Sequence, residues 1–303
     1  MIRPPALKPG SRVALVAAAG PIPAGGVDRA VERVRAFGWE PVAGQHCRGR
    51  AGYLSGSDAE RAADLNDALR DPSIDAVWLL RGGYGTMRIL DDIDWPALAR
   101  HPKALIGYSD NTAVHLAANA VGVVAFHGPH PHTPAFPDFA RDGLLRVLAS
   151  TEPAGVLPVA PGERAETLAG GVAEGPLVGG NLSLLSATMG TPYAVQPEGA
   201  ILFIEEVGEQ PYRLDRLLAH LRLAGVLDAV AGIAVGGVTE TPGDDGDALA
   251  REVLHDALGR LDVPVAIGFP FGHLDDSWTL PVGVRARLDA DAGTLALLEP
   301  AVS

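Results

Sequence analysis

Cysteine is all but missing from this chain. Cys47 is the only one in 303 residues, so no intrachain disulfide can form and the fold does not depend on an oxidising compartment. Without a partner pattern around it, Cys47 is expected to be a small buried residue at a strand end. Lysine is almost as scarce: Lys8 and Lys103 stand alone and arginine carries the remaining fixed positive charge, which with abundant Ala, Gly and Pro points to coding bias rather than function. Positive charge as a whole is in deficit. A formal net charge of -13 leaves no broad basic face to neutralise phosphates, so no nucleic-acid partner is expected. Aromatics make up only 5% of the residues. No apolar run approaches the ~18 residues of a membrane span, and Met1-Ile2-Arg3-Pro4-Pro5 opens no signal-peptide core. A cytoplasmic protein with no membrane partner is the expectation.

What is present is a β-α rhythm. Arg12 to Ala17, Pro41 to Ala43, Ala76 to Leu80, Ala104 to Ile106 and Val121 to Phe126 read as strands; Val27 to Phe37, Ala59 to Leu69 and the segment from Thr112 read as helices. Such alternation predicts an α/β fold with a mostly parallel sheet, whose ligands lie beyond the carboxyl ends of the strands. Residues 151–166, rich in Pro, Ala and Gly, are the expected linker between a first domain, 1–150, and a second, 167–303. In the second domain, strands are expected at Ala200 to Ile204, Ala229 to Val235 and Val265 to Phe269, with helices at Arg213 to Ala224 and Asp247 to Leu261. Trp278 to Leu298 reads as short antiparallel strands.

The chemistry concentrates at strand ends. Ile106-Gly107-Tyr108-Ser109-Asp110-Asn111-Thr112 turns a strand into a helix with Ser109 at the corner, the placement that lifts a nucleophilic hydroxyl off a sheet. It departs from G-x-S-x-G, since Asn111 stands where the second glycine would be. An ordinary N-cap is the competing reading. Arg81-Gly82-Gly83-Tyr84-Gly85 matches neither nucleotide-binding glycine motif, but glycines after a strand offer unobstructed amides of the kind an oxyanion hole needs. A serine needs a base, and the base an orienting acid. His273 follows an apolar strand and a tight turn, so it is a candidate base, with a surface turn histidine as the alternative. Glu205 and Glu206 end the run Ile201 to Ile204; neighbours on a strand face opposite ways, so one is expected to enter a site and the other to be solvated, unless the pair caps a helix or pairs with Arg213 or Arg216. His127, His130 and His132 cluster, but their irregular, proline-broken spacing argues against a metal. No metal or other cofactor is expected.

Taken together, Arg81 to Gly85, Gly107 to Thr112, Gly179-Gly180-Asn181-Leu182, Phe203 to Glu206 with Pro211-Tyr212-Arg213, and Gly268 to His273 resemble one family, the LD-carboxypeptidases of peptidoglycan recycling, which include the microcin-immunity peptidases. The departures are small: Glu206 takes a place often held by Asp, and Asn111 precedes Thr112. The resemblance implies an N-terminal α/β sandwich and a C-terminal domain with a barrel-like sheet and helices. It implies a Ser-Glu-His triad of Ser109, Glu205 and His273, with Glu205 chosen as the first acid after its strand. Backbone amides at Gly82, Gly83 and Asp110 would form the oxyanion hole, with Arg81, Tyr108 and Asn181 binding substrate. It further implies a site completed only when the second domain supplies acid and base, a homodimer, and a small muropeptide substrate, a murein tetrapeptide losing its terminal D-Ala. A microcin-like peptidyl-nucleotide is the alternative substrate, for which stacking aromatics would speak; Trp278 is expected in the core instead. A catalytically silent binding protein is the reading from another class.

Overall fold

Four parallel strand pairings build the first sheet, in a computed structural model that describes residues 1–159 and 164–303; residues 160–163, within the expected linker, lie outside the described residues. Contacts divide the chain into two units, Met1–Thr151 with Thr279–Val282 and Ala301–Ser303, and Glu152–Trp278 with Gly283–Pro300.

In the first unit β1 (Arg12–Val16), β2 (Glu40–Ala43), β3 (Ala76–Leu79), β4 (Ala104–Gly107) and β5 (Ala125–His127) run parallel, in the order β5-β4-β3-β1-β2. The central strands are apolar on both faces, with β3 and β4 buried at every residue. Parallel strands need such sequences, because helices cover both sides. Those helices are α1 (Gly26–Ala36), α2 (Asp58–Arg70), α3 (Trp95–Arg100), α4 (Thr112–Ala120) and α5 (Asp138–Leu148). Helix α2 starts where Ser57 and Glu60 form a reciprocal capping box. Cys47 is buried just beyond β2, and burial raises its thiol pKa, as fits a packing residue. The strand expected from Val121 is displaced: Val123 makes an isolated bridge to Ile2, and the regular strand starts only at Ala125.

The sheet has a sixth strand whose partner local pattern does not reveal. Leu280–Val282 pairs antiparallel with β5, Leu280 opposite His127, so a segment near the C-terminus belongs to the first unit.

The second unit holds β6 (Gly155–Val156), β7 (Glu166–Ala169), β8 (Val172–Asn181), β9 (Ile201–Val207), β10 (Gly232–Thr239) and β11 (Val265–Ile267). Counting Leu280–Val282 as β12, it adds β13 (Arg285–Asp289) and β14 (Thr294–Leu297). Helices are α6 (Leu182–Ala187), α7 (Pro211–Leu223), α8 (Val226–Ala229) and α9 (Gly246–Leu258). The order is β6-β14-β13-β8-β9-β10-β11-β7, parallel from β8 to β11 and antiparallel outside. Among the described residues the ends β6 and β7 do not pair, so the barrel-like sheet implied by resemblance is an open sheet, not a closed barrel. Gly179 permits the close approach of β8 and β9: a Cβ there would lie 1.9 Å from Phe203 O.

Candidate active site

Ser109 adopts φ 63°, one of two non-glycine residues in the left-handed region among those described. A side chain in that region carries roughly 1–2 kcal/mol of strain, which the surroundings must hold in place. They do so closely. β4 ends at Gly107, where a Cβ would meet Asn111 Oδ1 at 2.6 Å and Leu79 Cβ at 3.1 Å, so only glycine lets the chain turn there. A 3-10 turn, Ser109–Asn111, leads straight into α4. Asp110, 2% exposed, ties the corner to the neighbouring loop: its Oδ2 accepts from Thr86 N (2.9 Å), and its carbonyl accepts from Thr86 Oγ1 (2.6 Å). Burial lifts the Asp110 carboxyl above the usual aspartate range, against the pull of its bonds with Thr86.

The loop so tied is the glycine run after β3. A Cβ on Gly82 would stand 2.9 Å from Ser109 Cβ, 3.0 Å from Ser109 Oγ and 3.2 Å from Asp110 N. The bare face of Gly82 is therefore what keeps the space beside the hydroxyl and the Asp110 amide open. Gly82 O accepts from Gly20 N (3.1 Å), which fixes that peptide plane, and a trans peptide then turns the Gly83 N–H to the opposite side. Arg81 is anchored through Nη1 to Pro21 O at 2.6 Å. Tyr108 lies with its ring 4.4 Å from that of His130.

The second unit carries an acid-base pair. His273 Nδ1 lies 2.6 Å from Glu205 Oε2. A carboxylate only accepts, so Nδ1 carries the proton and, in neutral imidazole, Nε2 keeps the lone pair. Glu205 is fully buried; His273 is 19% exposed at its side chain. Gly272, at φ 101°, allows this pairing, since a Cβ there would lie 2.7 Å from Glu205 Cβ and 2.8 Å from Oε2. The turn rests on an aromatic cluster in which Phe271 packs edge-on to Phe203 and stacks on Trp278. Trp278 is 1% exposed and bonded through Nε1 to Pro158 O.

Glu206 does something else. Its Oε1 accepts from Asn181 Nδ2 (2.9 Å) and Val207 N (2.9 Å), and its Oε2 from Ser183 N (2.8 Å). Asn181 in turn caps α6, accepting from Leu184 N at 3.3 Å. So neither glutamate is solvated, contrary to the expectation from strand alternation: β9 lies inside its sheet, and its opposite faces meet His273 on one side and the start of α6 on the other. Burial raises the Glu206 pKa while its three hydrogen bonds oppose the rise. Arg213, the alternative partner, lies 3.6 Å from Glu209 instead. Asn181 is 3% exposed, so any part it has in binding passes through Glu206 and the first turn of α6. Sequence reasoning missed Thr86, Gly107 and Gly272; the last two stand inside the motifs read and are functional only through what their missing side chains permit.

Among the described residues no group of three or more His, Cys, Asp or Glu is disposed to hold an ion. His127 and His130 are buried and pack against the Tyr108 ring.

A strained serine on a parallel-sheet corner and a carboxylate-held histidine are the parts of a serine hydrolase. Comparison with known proteins narrows the class. Residues 13–128 match the family profile of the LD-carboxypeptidase N-terminal domain, and residues 174–288 that of the LD-carboxypeptidase C-terminal domain. The chain is 36% identical over 308 residues to the probable murein peptide carboxypeptidase of Bacillus subtilis, with 99% of this chain and 95% of that protein covered. It superposes on the crystal structure of muramoyltetrapeptide carboxypeptidase from Oxalobacter formigenes with a TM-score of 0.84 and 31% identity, covering 95% of this chain and 98% of that one. It is also 27% identical over 306 residues to the microcin C7 self-immunity protein MccF of Escherichia coli, with 91% and 88% covered. The chain belongs to the LD-carboxypeptidase family and is, with that family, a serine-type carboxypeptidase.

Proposed function

We propose that this chain removes the terminal D-alanine from murein tetrapeptide in peptidoglycan recycling, with Ser109, Glu205 and His273 as its triad. The observation that carries the reading is the corner at Ser109: a strained hydroxyl held against the bare edge of Gly82 and beside the Asp110 amide. His273 Nε2 takes the hydroxyl proton as Ser109 Oγ attacks the carbonyl carbon of the L-to-D peptide bond. Glu205 holds the imidazole by Nδ1 and stabilises the imidazolium that forms. The oxyanion is received by the Asp110 and Gly83 amides, with Gly82 leaving room for it. Collapse breaks the C–N bond, and His273 returns the proton to the departing D-alanine amine. Water, deprotonated by the same imidazole, then attacks the acyl-serine ester; the acyl C–Oγ bond breaks, His273 returns the proton to Ser109 Oγ, and the shortened peptide leaves. Arg81, with one edge of its fork on Pro21 O, offers the other to the free carboxylate of the substrate, and Tyr108 lines the approach. A dimer in the cytoplasm completes the proposal, on the resemblance alone.

The recycling role is preferred over a microcin-like one because Trp278, five residues beyond His273, is committed to the core and cannot stack on a base. Mass spectrometry of muramyl tetrapeptide incubated with the purified protein tests the reading. Loss of one alanine, unaffected by chelator, is expected; an unchanged tetrapeptide contradicts it.

A further inference from the structure

Two tyrosines stand out in a chain poor in aromatics. Tyr53 and Tyr84 have ring centroids 5.8 Å apart and planes inclined at 60°, yet they remain 66% and 52% exposed. Their backbones, by contrast, are pinned on both sides. Tyr53 sits in a tight turn closed by the mutual bonds of Ala51 and Leu54, with Gly52 at φ 65°. Gly20 lies against both segments: a Cβ there would stand 3.0 Å from Gly82 O and 3.8 Å from Tyr53 O. On the far side Leu54, 8% exposed, packs on Gly85, where a Cβ would lie 2.7 Å from Leu54 Cδ2, and Arg61 Nη1 donates to Gly85 O at 2.8 Å. The rings are thus presented by a rigid frame that does not use them for packing. Tyr84 is also only two residues from Gly82, the residue in contact with Ser109.

We propose that Tyr53 and Tyr84 form a corner that receives the sugar ring of a muramoyl peptide, making the enzyme favour sugar-bearing tetrapeptide over free tetrapeptide. The inference rests on the proposed function above. Each ring keeps an exposed apolar surface against which the C–H groups on the faces of a puckered pyranose can pack, and the 60° inclination leaves no pair of parallel faces to sandwich a flat base. Polar groups stand close by. Asp58 accepts from Arg88 at 2.7 Å, and the Arg88 guanidinium is within electrostatic reach of both phenols. The reach also agrees. Three residues separate the sugar from the bond cut, about 10–11 Å of extended peptide, and two residues from Gly82 carry the backbone up to roughly 7 Å before the tyrosine side chain begins.

The test compares alanine release from anhydro-N-acetylmuramoyl tetrapeptide and from the free tetrapeptide. In the parent, kcat/KM for the sugar-bearing substrate should be higher. In Tyr53→Ala and Tyr84→Ala that ratio should fall about tenfold, mainly through KM, while Tyr53→Phe and Tyr84→Phe keep it. A ratio unmoved by the alanine substitutions, or equal losses on both substrates, overturns the proposal. A second arm needs no turnover: saturation-transfer NMR of the sugar-bearing peptide on Ser109→Ala. Saturation of pyranose protons that disappears with Tyr84→Ala supports the corner. Saturation confined to the peptide methyls, or displacement of the sugar by adenosine monophosphate, overturns it. If the parent frees no alanine from either substrate, the proposed function fails, and the NMR arm still decides the corner.

Discussion

Glu205 Oε2 and His273 Nδ1 are 2.6 Å apart, and the backbone of residue 272 passes so close that nothing larger than hydrogen fits on its Cα. Gly272→Ala should therefore do two kinds of harm. The residue is held at φ 101°, where an L side chain is strained by roughly 1–2 kcal/mol, and the new methyl would press on the Glu205 carboxylate. We expect a lower melting temperature together with a loss of kcat larger than the stability change explains, measured by thermal denaturation and alanine release on the same preparation.

The two glutamates of β9 should separate cleanly. Glu205→Gln replaces an acceptor at Nδ1 with a group able to favour the wrong imidazole tautomer, and kcat should fall about 10³–10⁴-fold with the fold intact. Glu206→Gln places an amide among the donors of Asn181, Ser183 and Val207, so it should lower stability by about 1–3 kcal/mol and change kcat less than tenfold. The reverse pattern of kcat losses would move the acid to Glu206.

That division shows where sequence reasoning reached its limit. Two acids after a strand were legible, and so was their pointing to opposite faces, because a strand has a period of two. Their common burial was not, since it comes from β8, β10 and α6 packing around β9. The serine corner was legible from Gly107 to Thr112; its strain was not, because φ is fixed by Asp110 and Thr86 holding the turn from 24 residues apart. Leu280–Val282 was legible as a strand, but its partner β5 lies over 150 residues earlier, and no local pattern encodes that antiparallel edge.

Gly82→Ala probes the space beside the Ser109 hydroxyl. Gly82 is not among the glycines at positive φ, so alanine meets no backbone penalty, yet its methyl would crowd Ser109 Oγ and the Asp110 amide at 3.0 and 3.2 Å. Loss of a single oxyanion donor costs about 10²–10³ in turnover, and a fall of that size is expected. The 2.9 Å approach to Ser109 Cβ forces the corner to shift, so the melting temperature should fall modestly while the circular dichroism spectrum is kept and the loss of turnover exceeds what the stability change explains. Full activity in this variant would remove Gly82 from the site.

Acid stability should depend on His115. Its ring is completely buried in α4, neither nitrogen has a hydrogen-bond partner among the described residues, and burial lowers its pKa to about 3. An unfolded histidine titrates near 6.5. Between those values the unfolded chain binds the extra proton, so stability is full above about pH 6.5 and falls as the pH drops toward 3, by up to about 5 kcal/mol for this group. His115→Leu removes the titration, and its denaturant midpoint should fall less steeply than the parent's between pH 6.5 and pH 4. Parallel curves would contradict this.

The most direct test of the account is the rate of D-alanine release from murein tetrapeptide by the parent and by Ser109→Ala, with matching circular dichroism spectra as the control for folding. One D-alanine per tetrapeptide from the parent, and a loss of about 10⁴-fold or more in the variant, is the predicted result. Release at the parental rate by Ser109→Ala would contradict it.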